Sequence, residues 1–225
     1  MIGTAEKKNK PLRALIYFPI VYNIVGLVSV FLLFAFSPKH VAEPEILNAV
    51  LYLGVVMTHW ALFYVIVRRL GIDGVKKLIE PKNRFRWLPS TLVFVSLNVL
   101  FISYMVLALA YGRIPRWGSV DALQILFYIF LNPITAGFVE ELIWRGYFIE
   151  KLIATGKTER RAIVYSSISF ALIHGFIIVD KLIVTFVWGI ISGAYYVRER
   201  NIPVLMATHI VVDVIAFWLS LFRPI

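Results

Sequence analysis

The chain has 225 residues, 60% of them hydrophobic and 16% charged, with a formal net charge of +10 and a mean hydropathy of +0.81. Ordinary soluble domains carry about a quarter charged residues, so this composition excludes a soluble enzyme or a disordered chain. Its 23 Lys and Arg fall in short clusters between apolar runs, which argues against a nucleic-acid surface. With no cysteine, a disulfide scaffold, a thiol nucleophile and a cysteine zinc site are excluded as well. The expected fold class is all-α, a polytopic transmembrane helical bundle.

In chain order, apolar stretches of roughly the 20 residues needed to cross a bilayer fall near 12–36, 46–67, 88–111, 120–150, 162–179, 182–197 and 203–222. Seven spans is the expected count, with six or eight as alternatives. Lys7, Lys8, Lys10 and Arg13 precede the first run, a pattern that reads as a retained signal-anchor. The second run contains His59 with no charged neighbour in helical register, and His40 lies in the loop before it; both are expected to be non-catalytic. The loop at 70–87 mixes Ile72, Val75, Leu78 and Ile79 with basic residues, the spacing of an interfacial amphipathic helix ahead of Pro81. Gly175 can end the fifth helix early and leave 175–181 as a loop, and Gly189 with Gly193 forms a helix-packing pair.

Alternate loops differ in charge. Seventeen of the 23 basic residues lie in 7–13, 68–86, 151–161 and 198–200, whereas Lys39, Arg113, Arg116, Lys181 and Arg223 occupy the loops between them. The positive-inside rule then puts the N-terminus in the cytoplasm and the C-terminus outside. The organisation expected is an N-terminal set of spans over 1–119, with its basic inner loop at 68–87, and a catalytic core over 120–222.

Ionisable side chains at bilayer depth cost about 2.5–3.5 kcal/mol each on insertion scales, so the few present are informative. The fourth span holds Glu140, Glu141 and Arg145, the fifth His174, and the seventh His209 and Asp213. Glu141 and Arg145 are four apart and can pair, while Glu140 is rotated about 100° from its neighbour and points elsewhere. His209 and Asp213 are also four apart, and a carboxylate there can fix an imidazole tautomer. At 1.5 Å per residue, all three helices bring these groups to a similar middle depth. A carboxylate with two imidazoles suits hydrolysis. Glu140 acts as general base on water, one histidine positions that water, and the other donates to the developing oxyanion. The residues alone also permit Glu140, His174 and His209 to hold zinc; the reading without a cofactor is preferred.

The motifs E-E-x-x-x-R (140–145), F-x-x-x-H (170–174) and H-x-x-x-D (209–213), in that order on separate spans, resemble the CPBP family. That family comprises CAAX prenyl proteases and bacteriocin-processing or self-immunity proteins, the Ras-converting endopeptidase among them. The resemblance covers roughly 120–222. It implies an intramembrane glutamate-type endopeptidase in which Glu140 activates water with His174, His209 and Asp213 form the oxyanion-stabilising pair, and Glu141, Arg145 and Phe170 organise the site. The prenyl-protease branch carries Asn where this chain has Asp213. An ionised Asp only accepts hydrogen bonds, which favours a role in orienting His209. The partners implied are membrane lipid and a peptide or prenylated-protein substrate reaching the site from the membrane or its inner face. Two rival readings are a non-proteolytic peptide-binding or immunity protein on the same scaffold, and a proton-coupled transporter.

Overall fold

A computed structural model of the chain describes residues 13–28, 44–112, 122–174 and 178–221; His40 lies outside them. These residues form helices and no strands. We label the helices α1 (Arg13–Val28), α2 (Pro44–Ile79), α3 (Trp87–Ala110), α4 (122–154), α5 (Glu159–Ile173), α6 (Val179–Glu199) and α7 (Ile202–Leu221). Among the described residues, four segments are long and apolar enough to cross a membrane: Leu53–Ile79, Trp87–Ala110, Leu126–Ala154 and Ile202–Ser220. The chain is an integral membrane protein with an all-α bundle, as its composition predicts.

Two elements depart from the expected spans. The fifth helix stops at Ile173, with His174 closing its last turn through an N–H that donates to the Ala171 carbonyl. Its 15 residues reach only about 22 Å, short of the roughly 30 Å hydrocarbon core. His174 is therefore held at the tip of a half-span inside the bundle. The second helix is broken at Gly71 (φ 71°), whose positive φ glycine adopts without a steric penalty, and a second helical piece follows. This kink sets 72–79 off as an amphipathic segment: Val75 is buried and Lys76 and Lys77 are exposed.

The helix α4 runs through the middle of the bundle and is mostly buried from Val139 to Leu152. Regular turns over Asn132–Glu140 give way to wider π-helical turns over Glu141–Ile149, a distortion that recurs at functional sites. Short polar bridges tie it to its neighbours. Trp144 Nε1–H donates to Ser169 Oγ at 3.0 Å, and the Ser169 hydroxyl donates to the Leu15 carbonyl at 2.7 Å. The Ser166 hydroxyl donates to the Trp144 carbonyl. Against lipid, where apolar burial gives helices no net attraction, such bonds and close packing carry the association. Gly137 supplies the tightest approach: a Cβ there would sit 2.6 Å from Ile210 Cγ1 and 3.1 Å from the Met206 carbonyl oxygen on α7. The pair Gly189 and Gly193 does pack helices as expected, with α5 residues Ser167 and Ile163 lying where their side chains would be.

Candidate active site

The close crossing of α4 and α7 at Gly137 places Glu140 and Glu141 beside His209. Glu141 is fully buried and forms the expected ion pair with Arg145 at 3.2 Å. Arg145 is also buried. Its Nε–H donates to Ser192 Oγ at 2.9 Å, and its guanidinium lies 4.1 Å from the centre of the Phe170 ring. The Phe170 ring meets His174 edge-on at 4.8 Å and His209 at 6.2 Å. One aromatic side chain thus spaces the cation and both imidazoles.

Each imidazole has one nitrogen committed. His174 Nδ1–H donates to the Phe170 carbonyl at 3.0 Å; a carbonyl can only accept, so in the neutral ring Nε2 keeps its lone pair. His209 Nδ1–H donates to Glu141 Oε1 at 2.9 Å. Its Nε2 lies 3.8 Å from Glu140 Oε2 and 3.9 Å from Asp213 Oδ2. The ring hydrogen bond anticipated at Asp213 therefore goes to Glu141. The i, i+4 spacing on α7 brings Asp213 near, but the Gly137 crossing brings α4 nearer.

Glu140 has a partner that its own helix does not reveal. His59 of α2, 1% exposed, donates from Nε2 to Glu140 Oε1 at 2.7 Å. His59 Nδ1–H donates to the Val55 carbonyl at 2.9 Å, so donation from Nε2 to Glu140 as well makes the ring an imidazolium paired with the carboxylate. The Tyr22 hydroxyl of α1 lies 3.1 Å from His59 Nε2. His59 is expected to be non-catalytic from sequence because it has no polar neighbour in helical register; its partner lies 81 residues away. The only signal available was a histidine alone in an apolar span, which is costly without a purpose. Glu140 Oε2 is buried and makes no hydrogen bond.

A cavity of about 490 Å³ begins at Glu140, with His59, His174, His209 and Asp213 in its wall. The remaining wall is largely apolar and aromatic, including Phe101, Met105, Ile173 and Phe217. Such a volume lies within the range of ligand pockets, about 300–1,000 Å³. Among the described residues, no cluster of three His, Asp or Glu side chains is spaced to hold a metal ion.

A buried carboxylate with one oxygen free of hydrogen bonds lies among imidazoles in the wall of a largely apolar cavity, an arrangement that a membrane-embedded hydrolase can use. Residues 122–215 match the family described as type II CAAX prenyl endopeptidase, Rce1-like, which is consistent with the resemblance to CPBP intramembrane proteases. No curated protein and no solved structure matches the chain. His59 and Tyr22 lie outside the matched segment, so two of the side chains nearest Glu140 come from helices the family model does not cover.

Proposed function

We propose that the chain is a glutamate-dependent intramembrane endopeptidase in which Glu140 activates water. The observation that carries this reading is the asymmetry of the Glu140 carboxylate: Oε1 is held by His59, and Oε2 makes no hydrogen bond although Glu140 lines the cavity. A water at Oε2 gives up a proton to the carboxylate as its oxygen attacks the peptide carbonyl carbon. His174 Nε2 accepts from the same water and aims it. The oxyanion is answered by His209, which as an imidazolium presents Nε2–H while Nδ1–H stays on Glu141. Glu140 then returns the proton to the leaving amine as the C–N bond breaks, so the site regains its starting charge state. Asp213 contributes a nearby carboxylate to His209, and Glu141, Arg145 and Phe170 hold the imidazoles in place.

The test uses reconstituted protein and farnesylated, geranylgeranylated and unmodified peptides, with and without a chelator. Glu140→Gln is expected to lower cleavage by about 10²–10⁴, the usual span of a general base, without loss of membrane insertion. His174→Ala follows it. Cleavage is expected to survive the chelator; chelator-sensitive cleavage would replace this reading with zinc held by Glu140, His174 and His209. Wild-type protein that binds peptide and cuts none would make the chain a peptide-binding or immunity protein on a protease scaffold.

A further inference from the structure

Water attacking a peptide carbonyl drives negative charge onto the carbonyl oxygen, and preorganised hydrogen-bond donors meet that charge. His209 supplies one such donor. Asp213, with Oδ2 3.9 Å from His209 Nε2, only accepts when ionised, so it leaves the oxyanion without a second. Tyr22 of α1 lines the same cavity as Glu140 and His209, and it is tied to the general base. Two short contacts separate its hydroxyl from Glu140 Oε1: 3.1 Å to His59 Nε2, and 2.7 Å from that nitrogen to the carboxylate.

His59 dictates where the Tyr22 proton can go. Both nitrogens of the imidazolium carry protons, one donated to Glu140 Oε1 and the other to the Val55 carbonyl, so neither offers a lone pair. The Tyr22 oxygen lies 3.1 Å from Nε2 and 3.2 Å from Nδ1, and the phenol ring meets the imidazole edge-on at 86°. An oxygen so placed turns its lone pairs to the cation and its proton away from it. Among the described residues, the hydroxyl has no hydrogen-bond partner besides this ring. A phenol keeps its proton at neutral pH. The outcome is an O–H donor with a cation behind it and no acceptor of its own.

Resting on the peptidase reading above, we infer that Tyr22 is a catalytic residue whose O–H donates to the oxyanion alongside His209 Nε2–H. As the water oxygen bonds to the carbonyl carbon, the C=O π pair moves onto the carbonyl oxygen, which accepts from both donors. The pair returns to re-form C=O when the C–N bond breaks, and Tyr22 keeps its proton throughout. His59 then serves two groups at once, holding the carboxylate that activates water and the hydroxyl that receives the developing charge. The helix α1, outside the matched segment 122–215, contributes chemistry and not packing alone.

Tyr22→Phe removes the hydroxyl and keeps the ring against His59. In reconstituted protein, with a peptide that the wild type cuts, it is expected to lower kcat by about 10²–10³, the usual loss for one oxyanion donor. KM should stay nearly unchanged, because the bond is made only in the transition state. A second measurement uses a phosphinate analogue of the same peptide, whose tetrahedral P–O⁻ stands in for the oxyanion. Tyr22→Phe should bind it more weakly by a comparable factor, while the parent peptide, measured in a Glu140→Gln background, binds with and without the hydroxyl equally well. A fall in kcat with unchanged phosphinate affinity overturns the inference, since the hydroxyl would then act through His59. Wild-type kcat in Tyr22→Phe, or a rise in KM alone, overturns it as well. Wild-type protein with no Glu140-dependent cleavage overturns the peptidase reading itself, a failure distinct from cleavage that survives loss of the hydroxyl.

Discussion

The two halves of α4 have opposite surroundings. From Val139 to Leu152 the helix is enclosed by α2, α5, α6 and α7, and its large side chains are lost to solvent and lipid alike. Over 126–134, Leu126, Phe130 and Ile134 are more than half exposed, and Asn132, Ala136 and Glu140 border the cavity. Both halves contain π-helical turns, Leu126–Leu131 and Glu141–Ile149, so the contrast lies in packing and not in backbone type. Glu140 stands at the boundary. A dense block beneath it fixes the carboxylate, Arg145 and His209 in one geometry, while the half above it holds the cavity. Holding a reacting group on a rigid support is what catalysis from a preorganised site requires.

The largest expected effect falls in the dense half. Arg145→Ala strands the Glu141 carboxylate, which has no exposure, and removes the contacts to Ser192 and the Phe170 ring. Breaking a buried pair from one side costs about 3–5 kcal/mol, to be read as a fall in thermal midpoint in detergent. The double change Arg145→Met with Glu141→Gln removes both charges and should recover much of that stability, because an amide oxygen can still accept from His209. Equal losses for the single and the double variant would mean that the charge pair is not what holds this half together.

Two substitutions of aromatic size sharpen the contrast. Phe148, buried against Phe18 and Trp144, should cost about 3–5 kcal/mol when cut to Ala. Ala216 lines the cavity, so Ala216→Phe adds bulk where there is room. Its stability should change by less than about 1 kcal/mol, under the 1–3 kcal/mol typical of an overpacked core. Its cleavage rate should nonetheless drop by about tenfold or more, because a displaced substrate loses its orientation. If Ala216→Phe unfolds the protein instead, the cavity half is as tightly determined as the block below it.

The helices and the order of the charged motifs are legible in the sequence because hydropathy and i, i+4 spacing are local properties. Glu141–Arg145 is such a case, and the ion pair forms as the spacing predicts. What stays hidden depends on which faces meet. The helix α3 is apolar all round, so nothing in its pattern distinguishes the face that borders the cavity from the one in lipid. His59 and Glu140 lie on different helices, and only their crossing puts a donor 2.7 Å from the carboxylate. Gly137 reads in sequence as an unremarked glycine, yet its missing side chain is what lets Glu141 reach His209 ahead of Asp213. The ties at the basic end are hidden for the same reason: Asn83 bonds the Arg198 carbonyl and Arg86 bonds Glu199, partners more than a hundred residues apart.

Those ties provide the smallest expected effect and the finest test of the comparison. Lys82 pairs with Glu150 at 3.3 Å, but its side chain is about half exposed, and Glu150 keeps Tyr196 and Arg200 when Lys82 is removed. An exposed pair of this kind contributes about 0–1 kcal/mol, so Lys82→Ala should shift the thermal midpoint little and leave cleavage unchanged. The backbone bond from Lys82 N–H to the Arg200 carbonyl does not depend on the side chain and keeps the loop seated. A marked loss of cleavage in Lys82→Ala, with stability intact, would make the basic face a working part of the enzyme. The division between a densely packed supporting half and a cavity-bearing half would then no longer hold.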